Sequence, residues 1–208
     1  MEVMYFNDYN SFSKKNNFTA ILGDIKYLNN VDFINIKYDD NWTVKKLLNG
    51  YKFMVSPKIH ELFQDFDLNI NLLKRKVREL SSSEKNLVLL IYSFLNNEQC
   101  IVLNYFEKCL SYKNKRRVVS YLKSKYEGTL LVISNDIVFL NELCDFLIIF
   151  DGNNIIFNDK FDYIYKSNVK IDYPPIINFI KLANKKSAKL VYTVDNKELL
   201  KDIYRSVK

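Results

Sequence analysis

Glycine is scarce in this chain, with four among 208 residues, and proline is scarcer, with three. A backbone that curls tightly around a phosphate relies on glycine for its left-handed turns, so a glycine-rich phosphate loop has little material here. His60 is the only histidine, and Cys100, Cys109 and Cys144 are odd in number and lack the spacing of metal ligands. These shortages argue against zinc chemistry and against a Ser–His or Cys–His catalytic pair. Three cysteines without a disulfide framework fit a reducing compartment, the cytosol. Long apolar runs are missing as well: none approaches the ~20 residues of a bilayer-spanning helix, and no N-terminal signal peptide is visible. Any membrane contact is expected to be peripheral, on the inner face of the cell membrane.

What is present describes a globular chain. Hydrophobic residues make up 48% and charged residues 26%, enough for a sizeable core and too apolar for disorder. The many Lys, Asn, Ile, Tyr and Phe residues read as a compositional bias of the source genome. The net charge of +7 would suit an anionic partner. However, the densest basic clusters, "KRKVR" at 74–78 and "KNKRR" at 113–117, lie beside expected helices and read as solvated helix faces. No basic stripe interleaved with aromatics occurs, so no nucleic-acid partner is expected.

Along the chain, "FTAIL" (18–22), ending at Gly23, and "VDFINI" (31–36) have the pattern of buried strands. Residues 43–79 read as mostly helical, with a break at Pro57. "CIVL" (100–103) and "TLLVIS" (129–134) resemble parallel strands buried on both faces. Between them Val118, Val119, Leu122 and Tyr126 form a helical stripe closed by Gly128. Val88, Ile91, Tyr92 and Leu95 form another core stripe. "DIVFLNELC" predicts a helix, and "FLIIFDGNNIIF" (146–157) a hairpin turning at Asp151-Gly152-Asn153-Asn154. In the tail, a helix over about 176–186, a strand "AKLVYTV" and a helix capped by Asp195 or Asn196 form a small α/β unit. Strands alternating with helices, then a hairpin, indicate a mostly parallel α/β sheet with an antiparallel edge.

The order of these segments resembles the ATP-binding-cassette (ABC) ATPases. "LSSSEK" (80–85) is similar to their LSGGQ signature, and "IVLNYFEKCLS" (101–111) lies without a gap over ILLDEPTAGLD. "LLVISND" (130–136) resembles the strand carrying the switch histidine, and "CDFLIIFDGNNIIF" resembles ADRVIVLDKGKIV. "FNDYNSFSKKNNFTAILG" (6–23) looks like the lead into the phosphate loop. "VDFINIKYDDN" (31–41) and the tail at 172–205 look like the ATPases of energy-coupling-factor vitamin transporters. The resemblance implies a P-loop-type cassette over 1–168, truncated at its phosphate loop, and a small C-terminal unit over 169–208.

It also implies where chemistry has been lost. Such an ATPase cradles phosphates in a G-x-x-x-x-G-K-[ST] loop. After Gly23 this chain reads "DIKYLNN", with no second Gly, no Gly-Lys pair and no Ser or Thr, and Lys26 has no scaffold on which to replace the loop lysine. Asn104 stands for the magnesium-organising Asp, and an amide is a poorer ligand for a hard dication. Tyr105 stands for the Glu that polarises water, Asn135 for the switch His and Ile36 for the Q-loop Gln. A phenol with a pKa near ~10 is no general base at neutral pH. Losing cradle, metal ligand and water-orienting group together is expected to abolish hydrolysis. No resident cofactor is expected, although ATP and Mg²⁺ held at a partner's site could be shared.

One half-site remains readable. Ser81, Ser82, Ser83 and Glu84 fall on the signature, which in this family caps the γ-phosphate bound by a partner ATPase, and Cys109, Leu110 and Ser111 fall on the D-loop. The bland alternative for 81–84 is helix capping, with Glu84 in the first turn. Trp42, the only tryptophan, reads as surface packing or as a contact for the membrane subunit. The resemblance therefore implies a catalytically degenerate subunit pairing with an active ATPase and a membrane subunit. The alternatives are a soluble regulatory or interaction protein on the same scaffold, or a nucleotide-binding protein with a non-standard site.

Overall fold

A computed structural model describes residues 2–6, 18–22, 33–50, 52–152, 154–167 and 169–206. Gly23, Lys26 and the segment 23–30, where the phosphate loop is expected to be truncated, lie outside the described residues. Among the described residues seven strands form one sheet: β1 (Glu2–Phe6), β2 (Phe18–Leu22), β3 (Phe33–Asn35), β4 (Cys100–Asn104), β5 (Thr129–Ser134), β6 (Phe146–Asp151) and β7 (Asn154–Lys160). Their spatial order is β3-β1-β4-β5-β2-β6-β7. The contacts β4–β5, β5–β2 and β2–β6 are parallel, while β1 and β3 on one side and β7 on the other are antiparallel.

The sequence pattern explains the parallel centre. Each central strand is apolar on both pleat faces, and a sheet buried on both sides needs that. One face sends Ala20, Ile101, Leu103, Leu130, Val132, Leu147 and Ile149 into the main core. The opposite face gathers Ile21, Cys100, Val102, Leu131, Ile133 and Ile148 into a second, smaller cluster. The expected hairpin forms, with Gly152 at φ +56° in its turn. The segment expected as a buried strand at 31–36 differs: the described part is a three-residue edge strand pairing with β1, and Asn35 is exposed.

Residues 43–79 fold into α1 (Val44–Asn49), α2 (Pro57–Asp65) and two 3-10 turns, Ile70–Lys74 and Val77–Glu79. Pro57 marks the expected break by opening α2 at its first position, where its missing N–H costs nothing. Helix α3 (Ser82–Leu95) is buried more widely than one stripe allows. Leu87, Leu89, Leu90 and Phe94 join Val88 and Ile91 in the core, while Tyr92 and Leu95 are only partly buried. A helix apolar nearly all round sits between layers rather than on a surface.

Helix α4 (Tyr112–Lys125) and α5 (Ile137–Leu143) join the same core through Val118, Leu122, Leu140 and Leu143. Gly128 does not cap α4, which ends when Tyr126 turns extended. A Cβ at Gly128 would instead lie 2.7 Å from the Gln99 carbonyl, so close approach selects glycine there. The "KNKRR" cluster lies on a solvated face of α4, as expected, and is ion-paired there. Lys113 and Arg117 reach Asp67 at 2.7 and 2.9 Å, the latter without hydrogen-bond alignment, and Lys115 reaches Asp136 at 3.2 Å. No disulfide joins cysteines among the described residues. Burial, aided by Asp145, pushes the Cys144 thiol well up, which leaves it a poor nucleophile.

In the tail, α6 (Pro175–Lys185) and α7 (Asn196–Ser206) form where expected, with Asp195 accepting a 2.7 Å bond from the Lys197 N–H. The strand expected at 188–194 is absent: the segment is irregular and pairs with no other strand among the described residues. Side chains occupy its backbone instead. Asn184 bonds both the N–H and the C=O of Leu190, and the Asp202 carboxylate accepts from the Val191 N–H.

Candidate functional site

In open α/β sheets ligands meet the carboxyl ends of parallel strands. Here β4 and β5 end side by side, Asn104 pairing with Ile133, and this brings Asn104, Tyr105 and Asn135 to one corner. Asn104 is half-buried, and its Oδ1 has no hydrogen-bond partner among the described residues. Tyr105 leaves the strand in the left-handed region at φ +49°, a strained conformation for a bulky residue. Its N–H donates to the Ile133 carbonyl at 2.8 Å, and the Lys108 ammonium sits 3.8 Å from its ring centroid. Asn135 is exposed. Ile36, just after β3, packs against the main core as an apolar side chain.

The carboxylates of this corner have structural duties. Glu107, in the 3-10 turn Phe106–Cys109, is 3% exposed and accepts a 2.6 Å hydrogen bond from the buried Ser134 hydroxyl. The Ser134 oxygen in turn accepts from the Asp136 N–H at 2.9 Å. Asp136 caps α5 through the Phe139 N–H at 3.0 Å and pairs with Lys115. Glu107 thus ties the strand ends from inside the protein, and its second oxygen has no hydrogen-bond partner among the described residues. Sequence reasoning missed this residue. The signal was an acid three positions past a buried strand, in a turn otherwise anchored by apolar Phe106 and Leu110.

The signature-like residues lie elsewhere, at the start of α3. Ser81 is its N-cap: the hydroxyl accepts from the Glu84 N–H at 3.2 Å, while Glu84 Oε2 accepts from the Ser81 N–H and hydroxyl, both at 2.8 Å. Two orphan donors of the helix end are satisfied reciprocally. Burial alone would raise the Glu84 pKa, but the two Ser81 hydrogen bonds and the Arg75 charge, 3.7 Å away, outweigh it and hold the carboxyl below its ordinary value. Ser82 and Ser83 begin the helix, whose first N–H groups have no intrahelical acceptor. Of the D-loop-like residues, Leu110 is buried, Cys109 is half-buried and Ser111 caps α4 through the Asn114 N–H at 3.2 Å.

Chemically, Asn104 and Tyr105 offer neither a carboxylate for a metal nor a base for water at neutral pH. Among the described residues no group of three or more His, Cys, Asp or Glu side chains converges as a metal site.

Solved structures share this architecture. The dimeric structure of a bacterial ABC transporter cassette superimposes with a TM-score of 0.56 at 12% identity, covering 77% of this chain and 97% of that one. This is the ABC ATPase cassette fold. A metal-chelate type ABC transporter in an inward-facing conformation gives 0.52 at 14% identity, covering 77% of this chain and 83% of that one. A bacterial Atm1-family ABC exporter with ATP bound gives 0.59 at 10% identity, covering 90% of this chain and 42% of that one. No protein-family model matches the chain, and no curated protein matches its sequence. Within the cassette fold of this chain no described helix is long and apolar enough to cross a membrane.

Proposed function

We propose that this chain is a catalytically degenerate ABC ATPase-like subunit of a transporter of the energy-coupling-factor kind or a related ABC type. It pairs with an intact ATPase homologue and docks on a membrane subunit at the inner face of the membrane. One observation carries this reading: a full cassette sheet whose strand ends hold Asn104, Tyr105 and Asn135 while the nearby carboxylates Glu107 and Asp136 are bound up in the fold. Sheet and helices persist where catalytic groups do not, as expected for a scaffold selected for assembly.

The helical region supplies surfaces for such assembly. The first turn of α3 presents N–H groups of Ser82 and Ser83 toward an anion, a natural place to cap the phosphates of ATP·Mg²⁺ held by the partner. Beyond α1, Phe53 and Met54 stand 92% and 80% exposed, close in sequence to Trp42, over which Lys46 sits at 4.6 Å from the ring centroid. Large exposed apolar side chains at one loop tip mark a contact surface.

The test is co-purification of the tagged chain with a transporter membrane subunit and an intact ATPase, alongside ATP turnover by the pure chain. Stable recovery of both partners with background turnover supports the proposal. Turnover by the pure polypeptide, or a lone monomer that recovers neither partner, sinks it. Phe53→Ser combined with Met54→Ser is expected to release the membrane subunit while leaving the fold intact.

A further inference from the structure

Where the 3-10 turn Phe161–Lys166 meets α6, the surface sinks into a cleft of about 450 Å³, a size suited to small molecules. Tyr165 and Tyr192 line it with Lys166, Lys181 and Lys185, and no carboxylate lines it among the described residues. Lys181 and Lys185 stand one turn apart on α6, a like-charge arrangement that weakens a helix. Lys166, at the end of the 3-10 turn, lines the same cleft. None of the three enters an ion pair within 4.0 Å among the described residues. The contrast with α4 is direct: Lys113, Lys115 and Lys125 reach Asp67, Asp136 and Asp65 at 2.7, 3.2 and 2.7 Å.

What holds these cations in place does not neutralise them. The Lys181 ammonium lies 3.6 Å from the Tyr173 ring centroid. Lys185 sits in the last turn of α6, where the helix end favours a cation. Asn184 shapes one wall by binding both backbone groups of Leu190, at 2.8 and 2.6 Å. Tyr165 stacks on Tyr192 with centroids 6.0 Å apart and planes 22° from parallel, and its hydroxyl donates to Asn141 at 3.0 Å. Burial, with Asp162 and Tyr173 adding to it, pushes the Tyr165 phenol well up, so it stays neutral and adds no negative charge to the cleft.

We infer that this cleft binds a small anion carrying two or more phosphate charges, with Tyr192 offering a platform to any ring attached to it. Inorganic polyphosphates and nucleoside polyphosphates share that chemistry. The inference does not rest on the transporter reading.

Calorimetric titration of the full chain with inorganic tripolyphosphate, and separately with ATP, both without magnesium, tests it. Saturable binding is expected, weakening as salt rises. Lys181→Gln is expected to weaken it about tenfold, and Lys181→Gln with Lys185→Gln about a hundredfold. Lys166→Gln lowers it in the same direction should the double variant fold poorly, and Lys123→Gln on α4 leaves it unchanged. Thermal unfolding checks that each variant is folded. Tighter binding of ATP assigns the extra affinity to the Tyr192 platform, and equal affinity assigns recognition to the phosphates alone. Absence of saturable binding by either probe below roughly 1 mM, or full affinity in the folded lysine variants, overturns the inference.

Discussion

The sheet centre and the C-terminal tail handle the same kind of residue in opposite ways. In β4 and β5, Ile101, Val102, Leu103, Leu130, Val132 and Ile133 are fully buried. In the tail, only one side of each helix packs inward: Ile177, Ile180 and Leu199 join the main core, while Phe179, Leu182, Leu200 and Tyr204 remain 49%, 61%, 55% and 74% exposed. Charges differ in the same way, with acids meeting bases around the core helices and lysines standing unneutralised around the tail cleft. The centre is built for stability, whereas the tail retains open surface. Amides and a phenol at Asn104, Tyr105 and Asn135 are therefore compatible with an intact fold, because the sheet is held by apolar burial rather than by its polar corner.

That contrast can be broken most sharply by truncation. Leu90→Ala in α3 is expected to cost about 2–5 kcal/mol, read as a lowered unfolding midpoint in urea, because a buried side chain leaves a cavity. Leu200→Ala on the exposed side of α7 is expected to change it by no more than about 0.5 kcal/mol. Equal costs would show that the tail packs as tightly as the centre.

The polar corner ranks next. Ser134→Ala removes the donor to Glu107 and the acceptor of the Asp136 N–H together, and is expected to cost about 1–3 kcal/mol by leaving buried groups unpaired. A neutral outcome would mean that water replaces the hydroxyl.

Ser81→Ala should cost about 0.5–2 kcal/mol as a lost cap. Its effect depends on pH with a defined sign. The folded Glu84 carboxyl lies below its ordinary value of 4.5, so the contribution of the box is complete above that pH and is lost as pH falls through the lower, folded value. Stability measured against pH should therefore lose part of its acid limb in Ser81→Ala. An unchanged limb would show that Glu84 is held by Arg75 rather than by the cap.

The smallest effect tests the catalytic reading. Asn104→Asp with Tyr105→Glu introduces two acids at the strand end, and on the proposed degenerate reading ATP turnover by the pure variant is expected to stay at background.

Much of this architecture could be read from local patterns. "TLLVIS" and "CIVL" are apolar on both faces and became parallel interior strands, and Asp151-Gly152 turned a hairpin because glycine tolerates its positive φ. The capping box at Ser81 is contained within four residues, so it too is visible in a linear reading. Three features escaped for one shared reason. β1 was not foreseen because its place depends on β3 and β4, the latter about a hundred residues away. "AKLVYTV" has β-forming residues, yet strand propensity without an unpaired neighbour is not realised, and Asn184 and Asp202 take up part of its backbone. Glu107 reads as a surface acid until Ser134, on another strand, closes over it.

By itself, the sequence determined the central strands, the hairpin, the Ser81 cap and the amide and phenol at the strand ends, since each depends on side-chain identity or on partners within a few residues. Tertiary structure alone decided that β2 lies between β5 and β6, that α3 is buried nearly all round, that Glu107 is internal and that three lysines share one cleft. Those outcomes depend on contacts between residues far apart in the chain, and such contacts exist only once the burial of apolar surface has brought them together.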